Sequence, residues 1–278
     1  MICGGGKALG READSDRRFG PSAVDVEPCD TPSREGPFAN FVFMLISPFK
    51  SWRQVEGTLA EVPDYESYDY TREWRGKNIE DLAEKAIIEK WLVPAEYCLE
   101  LGGGFGRITQ VLLPHFKDVV MVDASVMNIR RARRRLGPDN IVRAEIGHLP
   151  FRGGQFDYVV AIRLIHHFPN LNSLFNEIRR VAKHGGQFIL STPNTSTSLR
   201  KVTRNREIGR GGPGHRIYVA PMSWYSSGFD VEARRGTGIF DNRLGVAVER
   251  FQFLYLLDVV TSPLWRAKAH VFLKLLTR

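Results

Sequence analysis

Apolar and polar positions along this chain follow two spacings that take turns from residue 77 onward. Ile79, Leu82, Ala83, Ala86, Ile87 and Trp91 recur at helical spacing behind Asn78, which predicts a helix capped by Asn78 and running through Trp91. Tyr97-Cys98-Leu99-Glu100-Leu101 predicts a short buried strand that stops at a glycine cluster. A helix is expected over 108–116 and a strand over 119–122, after which Ser125 caps a helix carrying Met127, Ile129, Ala132 and Leu136 and stopped by Gly137 and Pro138. Further strands are expected over 141–146 and 156–162, the second nearly all apolar, as suits a strand buried on both faces. An amphipathic helix over 171–182, a Gly185-Gly186 break and a strand over 187–191 complete the alternation. Strand and helix in turn predict an α/β fold, an open, doubly wound parallel sheet with helices on both faces.

After Pro193 the alternation fails. Residues 194–216 hold six bases against one acid and include Gly211-Gly212-Pro213-Gly214, which predicts a loop or a short helix used as a lid. One or two helical turns are expected over 221–227, and closing strands over 229–234 and 270–276. An apolar run within 246–262 is interrupted by charges, so a buried or groove-lining helix is expected in place of a membrane span. Residues 1–40 are rich in Gly, Pro, Ser, Asp and Arg and read as a disordered tail. Residues 41–76 read as a helical or cap segment, and 77–278 as the main domain.

Charge changes this picture only at one end. The 278 residues carry a formal net charge of +8, but 1–40 hold five bases and seven acids, 41–170 seventeen of each, and 171–278 seventeen bases and seven acids. A local excess of +10 points to an anionic partner for the last third. Three cysteines with no CxxC pair and no secretory signal point to a reducing, cytoplasmic setting, with Cys98 as a small core residue.

The chemistry concentrates in Glu100-Leu101-Gly102-Gly103-Gly104-Phe105-Gly106-Arg107, between a strand and a helix. Glycines there let the backbone turn tightly and approach a ligand. No frame supplies Gly-x-Gly-x-x-Gly, and no Gly-Lys-Ser/Thr follows, so dinucleotide and P-loop readings fail. A carboxylate at Glu100 suits a ligand carrying an ammonium group. Asp123, at the next strand end, can accept two ribose hydroxyls.

With these residues the sequence resembles the class I S-adenosylmethionine-dependent methyltransferases, in particular the small-molecule group with a type 11-like domain. Four blocks carry the resemblance: residues 98–106, 121–125, 145–151 with Phe156-Asp157, and 185–194. It implies a Rossmann-like seven-stranded sheet of order 3-2-1-4-5-7-6 with strand 7 antiparallel, and S-adenosyl-L-methionine as cofactor. It also implies that Glu100, Gly102, Gly103, Gly104 and Gly106 lie beneath the methionine and ribose. Asp123 would take the ribose hydroxyls and Ala124 would border the adenine. Glu145 stands where the family usually has Asp toward the adenine amino group, with Ile146 and His148 beside it.

A sulfonium donor is already activated, so alignment in a dry site is the main requirement, and no metal is expected. His167, with His166 as the second candidate, follows the fourth strand and would wall the donor pocket or act as a base. Arg163 at the rim would hold an anionic acceptor or form a salt bridge. Tyr68, Trp74, Arg200, Lys201, Arg204 and His215 are expected to cover the acceptor. That acceptor is read as a small molecule, anionic or lipid-like, methylated on oxygen or carbon, with peripheral membrane contact through the apolar run. An RNA methyltransferase and a non-catalytic donor-binding scaffold are the alternatives. RNA is not favoured, because no recognisable RNA module is appended.

Overall fold

The structure is a computed structural model that describes residues 69–137, 139–195, 206–212, 215–238 and 251–278, without the side chains of 206–212, 215, 216 and 252. The expected tail, most of the cap segment, and Tyr68, Arg200, Lys201 and Arg204 lie outside the described residues.

The strands are β1 (Ala95–Leu101), β2 (Phe116–Asp123), β3 (Ile141–Arg143), β4 (Phe156–Ala161), β5 (Ala182–Pro193), β6 (Arg206–Gly212), β7 (His215–Val219), β8 (Phe229–Thr237) and β9 (His270–Thr277). The helices are α1 (Asn78–Glu89), α2 (Thr109–Leu112), α3 (Val126–Leu136), α4 (Leu171–Val181) and α5 (Tyr255–Val260). Seven strands form one sheet in the order β3-β2-β1-β4-β5-β9-β8. β1 to β5 run parallel, and β9 is antiparallel to both of its neighbours. This is the expected order, with β9 as strand 7 and β8 as strand 6. The pairing of Pro193 with His270 brings the start of β9 to the edge where β1, β2, β4 and β5 end.

Both faces of the sheet are packed. On one side α4 inserts Leu171, Leu174, Phe175, Ile178 and Val181, at helical spacing, against Val159, Phe188 and Leu273. On the other, Ile87, Ile88, Trp91 and Leu112 cover Cys98, Tyr158 and Phe272. Cys98 is fully buried, and burial pushes its thiol far up, as suits an inert core residue.

Several local expectations need correction. Lys77, not Asn78, occupies the cap position of α1 and makes no side-chain cap bond. The helix after the glycines ends at Leu112, because Pro114 has no N–H to extend it, and β2 begins already at Phe116. β3 stops at Arg143, since Ala144 donates its N–H to Asp123 O and the chain turns. The polar stretch read as a loop or short helix contains β6, which pairs with β7 as an antiparallel hairpin. The sequence where the two strands meet holds Gly211, Gly212, Pro213 and Gly214, a breaker cluster that suits a hairpin better than a helix. Among the described residues the apolar run forms the short α5 between 3-10 turns, and much of it is exposed, so it is not a buried helix. Ser125 caps α3 as expected by accepting from Asn128 N, and Gly137 ends it at φ 98°.

Candidate functional site

The glycine loop joins the end of β1 to the end of β2. Val122 O accepts from Gly102 N at 2.8 Å and from Gly103 N at 3.2 Å, while Gly106 N donates to Gly103 O at 2.9 Å. Gly104 N then donates to Asp123 Oδ2 at 2.8 Å, so the loop and the acid form one unit. Gly102, Gly104 and Gly106 have φ of 66°, 59° and 82°, where a side chain is strained. A Cβ on Gly106 would lie 2.5 Å from Leu136 Cδ1, whereas one on Gly104 would meet only Tyr70 Cδ1 at 3.8 Å. Gly106 is thus a packing glycine, and Gly104 is the position where the backbone faces open space.

Two carboxylates flank this loop from below. Asp123 is buried and also accepts from Ser125 N at 2.9 Å. Glu100 is 3% exposed and accepts from the Thr109 hydroxyl. Burial pushes the Glu100 carboxyl up to about 7, although the Thr109 hydrogen bond and Arg107 oppose the rise.

A second cluster, not foreseen, joins the acids of α1 to Arg107, after the glycines, and to Arg163, after β4. Glu84 is fully buried and accepts from Arg163 Nε at 2.7 Å and from Arg107 Nη2 at 2.8 Å. Asp81 also accepts from Arg107, at 2.8 Å, and Glu80 pairs with Arg163. Burial opposes ionisation of Glu84, yet Arg163 and Arg107 hold its carboxyl down at about 2. Trp74 lies on both arginines, 3.5 Å from Arg107 Cζ and 5.0 Å from Arg163 Cζ. Of the two roles considered for Arg163, the ion pair is the one its guanidinium makes. Trp74 covers arginines, and Asp69 reaches Arg131 of α3 at 3.3 Å. In the sequence Glu80, Asp81 and Glu84 stand close together on α1 and Arg107 directly follows the glycines, but no local pattern pairs the acids with the arginines.

The histidines follow β4. His166 is buried, and its Nδ1 has no hydrogen-bond partner among the described residues. Burial, with His167, His270 and Arg163 adding to it, holds His166 well below the usual histidine range, so its ring is neutral. His167 is half-buried, with its ring 4.2 Å from that of His166. Beyond β3, the turn over 145–148 leaves Glu145 and His148 exposed and Ile146 buried. His148 N donates back to Glu145 O at 3.1 Å, and Ala124 O accepts from Arg143 Nε at 3.0 Å. His215 opens β7, and its side chain lies outside the described residues. Among the described residues no group of three His, Cys, Asp or Glu side chains is placed to hold a metal ion.

Residues 99–190, which contain the loop, Asp123 and both histidines, match the family model described as a methyltransferase domain. The fold is that of the class I methyltransferases. The chain is 30% identical over 131 residues to malonyl-[acyl-carrier protein] O-methyltransferase of Erwinia pyrifoliae, covering 47% of this chain and 50% of that protein. It is 37% identical over 79 residues to the sterol 24-C-methyltransferase of Schizosaccharomyces pombe, covering 26% of this chain and 21% of that one. The chain therefore matches about half or less of these relatives' length. An S-adenosylmethionine-dependent methyltransferase structure from Mesorhizobium loti, 19% identical, superposes with a TM-score of 0.52 over 71% of this chain and 99% of that chain.

S-adenosyl-L-methionine is the cofactor this family implies, and the residues present fit it. The open backbone at Gly104 is a cradle that a Cβ would fill, and the carboxylates of Glu100 and Asp123 suit an ammonium group and paired hydroxyls.

Proposed function

We propose that the chain is a methyltransferase that uses S-adenosyl-L-methionine to methylate a small-molecule acceptor, on oxygen or carbon in preference to a nucleobase nitrogen. The observation that carries this reading is the unit formed by the glycine loop and Asp123 through the Gly104 N–H bond, with the buried Glu100 carboxyl at the end of the strand that leads into the loop. Glu100 and the loop would hold the methionine end, Asp123 the ribose, and Ala124 with the 145–148 turn the adenine. When bound, the cofactor supplies an electrophilic methyl carbon on a sulfonium. The chain's own work is then to align the acceptor, exclude water and take up a proton where the acceptor carries one. His167 is the candidate for that proton, since His166 is buried and neutral and serves as a wall beside it. Arg107 and Arg163 are held by α1 and shape the cleft without facing the acceptor.

A lipid-like acceptor is the class we favour. The relatives named above are a sterol C-methyltransferase and a malonyl-[acyl-carrier protein] O-methyltransferase, and neither name points to a nucleobase. No helix among the described residues is long and apolar enough to cross a membrane, so such an acceptor would be taken from a surface or from solution. Calorimetry with S-adenosylmethionine and S-adenosylhomocysteine tests the donor assignment. Saturable binding of both is expected, and a well-folded chain that binds neither would refute it.

A further inference from the structure

Large apolar side chains exposed to solvent are scattered over most of this surface but gather at one place. Phe251, Phe253, Leu256, Leu257, Val260 and Leu264 are all at least half exposed, while elsewhere among the described residues only Val93, Leu113, Trp224 and Val231 stand out. Six such residues within fourteen positions concentrate into one apolar ridge, unlike the isolated surface leucines of ordinary proteins.

The ridge is firmly based. Lys268 Nζ donates to Asp258 Oδ1 at 2.7 Å and to Thr261 Oγ1 at 2.7 Å, and Gly238 N donates to Asp258 Oδ2 at 2.8 Å. Asp258 and Lys268 are both about 2% exposed, so this pair anchors α5 from beneath and adds no charge to the surface. Asp258 is also the only acid between residues 251 and 269. Beside the ridge, the half-buried Trp265 has Arg234 Cζ 5.5 Å and Arg266 Cζ 5.4 Å from its ring. Both arginines are exposed and neither forms an ion pair among the described residues.

The ridge also lies on the working edge of the molecule. α5 packs against α1, the helix that holds Arg107 and Arg163, and Asn194 at the end of β5 donates to Trp265 O and Lys268 O. We infer that this ridge docks the chain on an anionic lipid bilayer. Phe251, Phe253, Leu256, Leu257, Val260 and Leu264 would enter the acyl boundary, and Arg234 and Arg266 would meet phosphate headgroups, with Trp265 at the interface between them. This deepens the lipid-like acceptor reading, because docking would turn the cleft toward the surface that holds such an acceptor.

Flotation of the full chain tests the inference, using vesicles of phosphatidylcholine alone and of equal parts phosphatidylcholine and phosphatidylglycerol. Binding to the anionic vesicles is expected, with little to the neutral ones. Phe253→Asp with Leu257→Asp should abolish it, and Arg234→Ser or Arg266→Ser should each weaken it roughly fivefold. All of these side chains are exposed or half-exposed, so the variants should fold and bind S-adenosylmethionine as the parent does. That calorimetric control separates the two readings: donor binding without flotation overturns docking alone, and flotation without donor binding overturns the donor assignment alone. Equal flotation of the parent and the double aspartate variant overturns docking through the ridge. Dimers in sedimentation that the same double variant breaks, with no vesicle binding, would assign the ridge to a second copy of the chain and overturn the proposal.

Discussion

Glu100 keeps a proton at a pH where a glutamate in water would have lost it. Burial raises its carboxyl to about 7, so at pH 6 most molecules carry it neutral and at pH 8 most carry it charged. If it receives the ammonium group of the donor, affinity should rise about tenfold from pH 6 to pH 8. Titration calorimetry at the two pH values checks this, and Glu100→Gln should bind weakly with the pH dependence gone. Asp123 accepts from Gly104 N and Ser125 N in the described structure, so it shapes the loop, and the role we propose for it is to take the ribose hydroxyls as well. Asp123→Ala should weaken S-adenosylmethionine binding by more than about tenfold. Unchanged affinity would remove it from the site.

Among the elements, α1 ties the segment after the glycine loop and the segment after β4 together through charge. Glu84 lies between two guanidiniums and is fully buried, so Glu84→Ala leaves both arginines short of a partner in low dielectric. A loss of about 3 kcal/mol in urea unfolding is expected, since Glu80 and Asp81 still satisfy part of each arginine. Gly106→Ala should cost about 1–3 kcal/mol by the same measurement, because its φ of 82° and the nearby Leu136 leave no room for a methyl. These elements also show where sequence reading succeeds. β1, α3, β4 and α4 are local patterns: a period, a cap and a glycine stop name them without knowledge of the rest of the chain. Arg163 finds its acids some eighty residues away on α1, and no local pattern encodes that pairing. The β6–β7 hairpin was hidden for another reason. β6 holds arginines and glycines with little alternation, so only the glycine and proline cluster in the sequence marked a break there. Of the site, the glycine loop and Asp123 were legible because their chemistry is sequential, and the arginine clamp was not because it is assembled in space.

For the molecule as a whole, two buried glutamates set opposite slopes of stability against pH. The folded Glu84 is held at about 2, below its value near 4.5 in the unfolded chain, so its contribution is present above pH 4.5 and is lost as pH falls toward 2. Glu100 is raised, so the folded state holds an extra proton between about pH 4.5 and 7, and stability falls as pH climbs through that range. Urea midpoints measured from pH 3 to 8 should therefore peak in mildly acid conditions. Glu100→Gln should flatten the upper slope and leave the lower one, and a variant that keeps the upper slope would show that another group causes it.

The place of β9 bears on how the chain is made. It lies between β5 and β8, and both precede it in sequence, so the strand that joins them is the last of the sheet to be synthesised. Until residues 270–277 emerge, β5 presents an open edge with seven register positions, and β8 has no neighbour in the main sheet. A nascent chain at that stage carries an apolar edge of the kind that recruits other strands. Between the synthesis of Thr237 and that of Thr277, the two strands that β9 joins are complete in sequence but unpaired with each other.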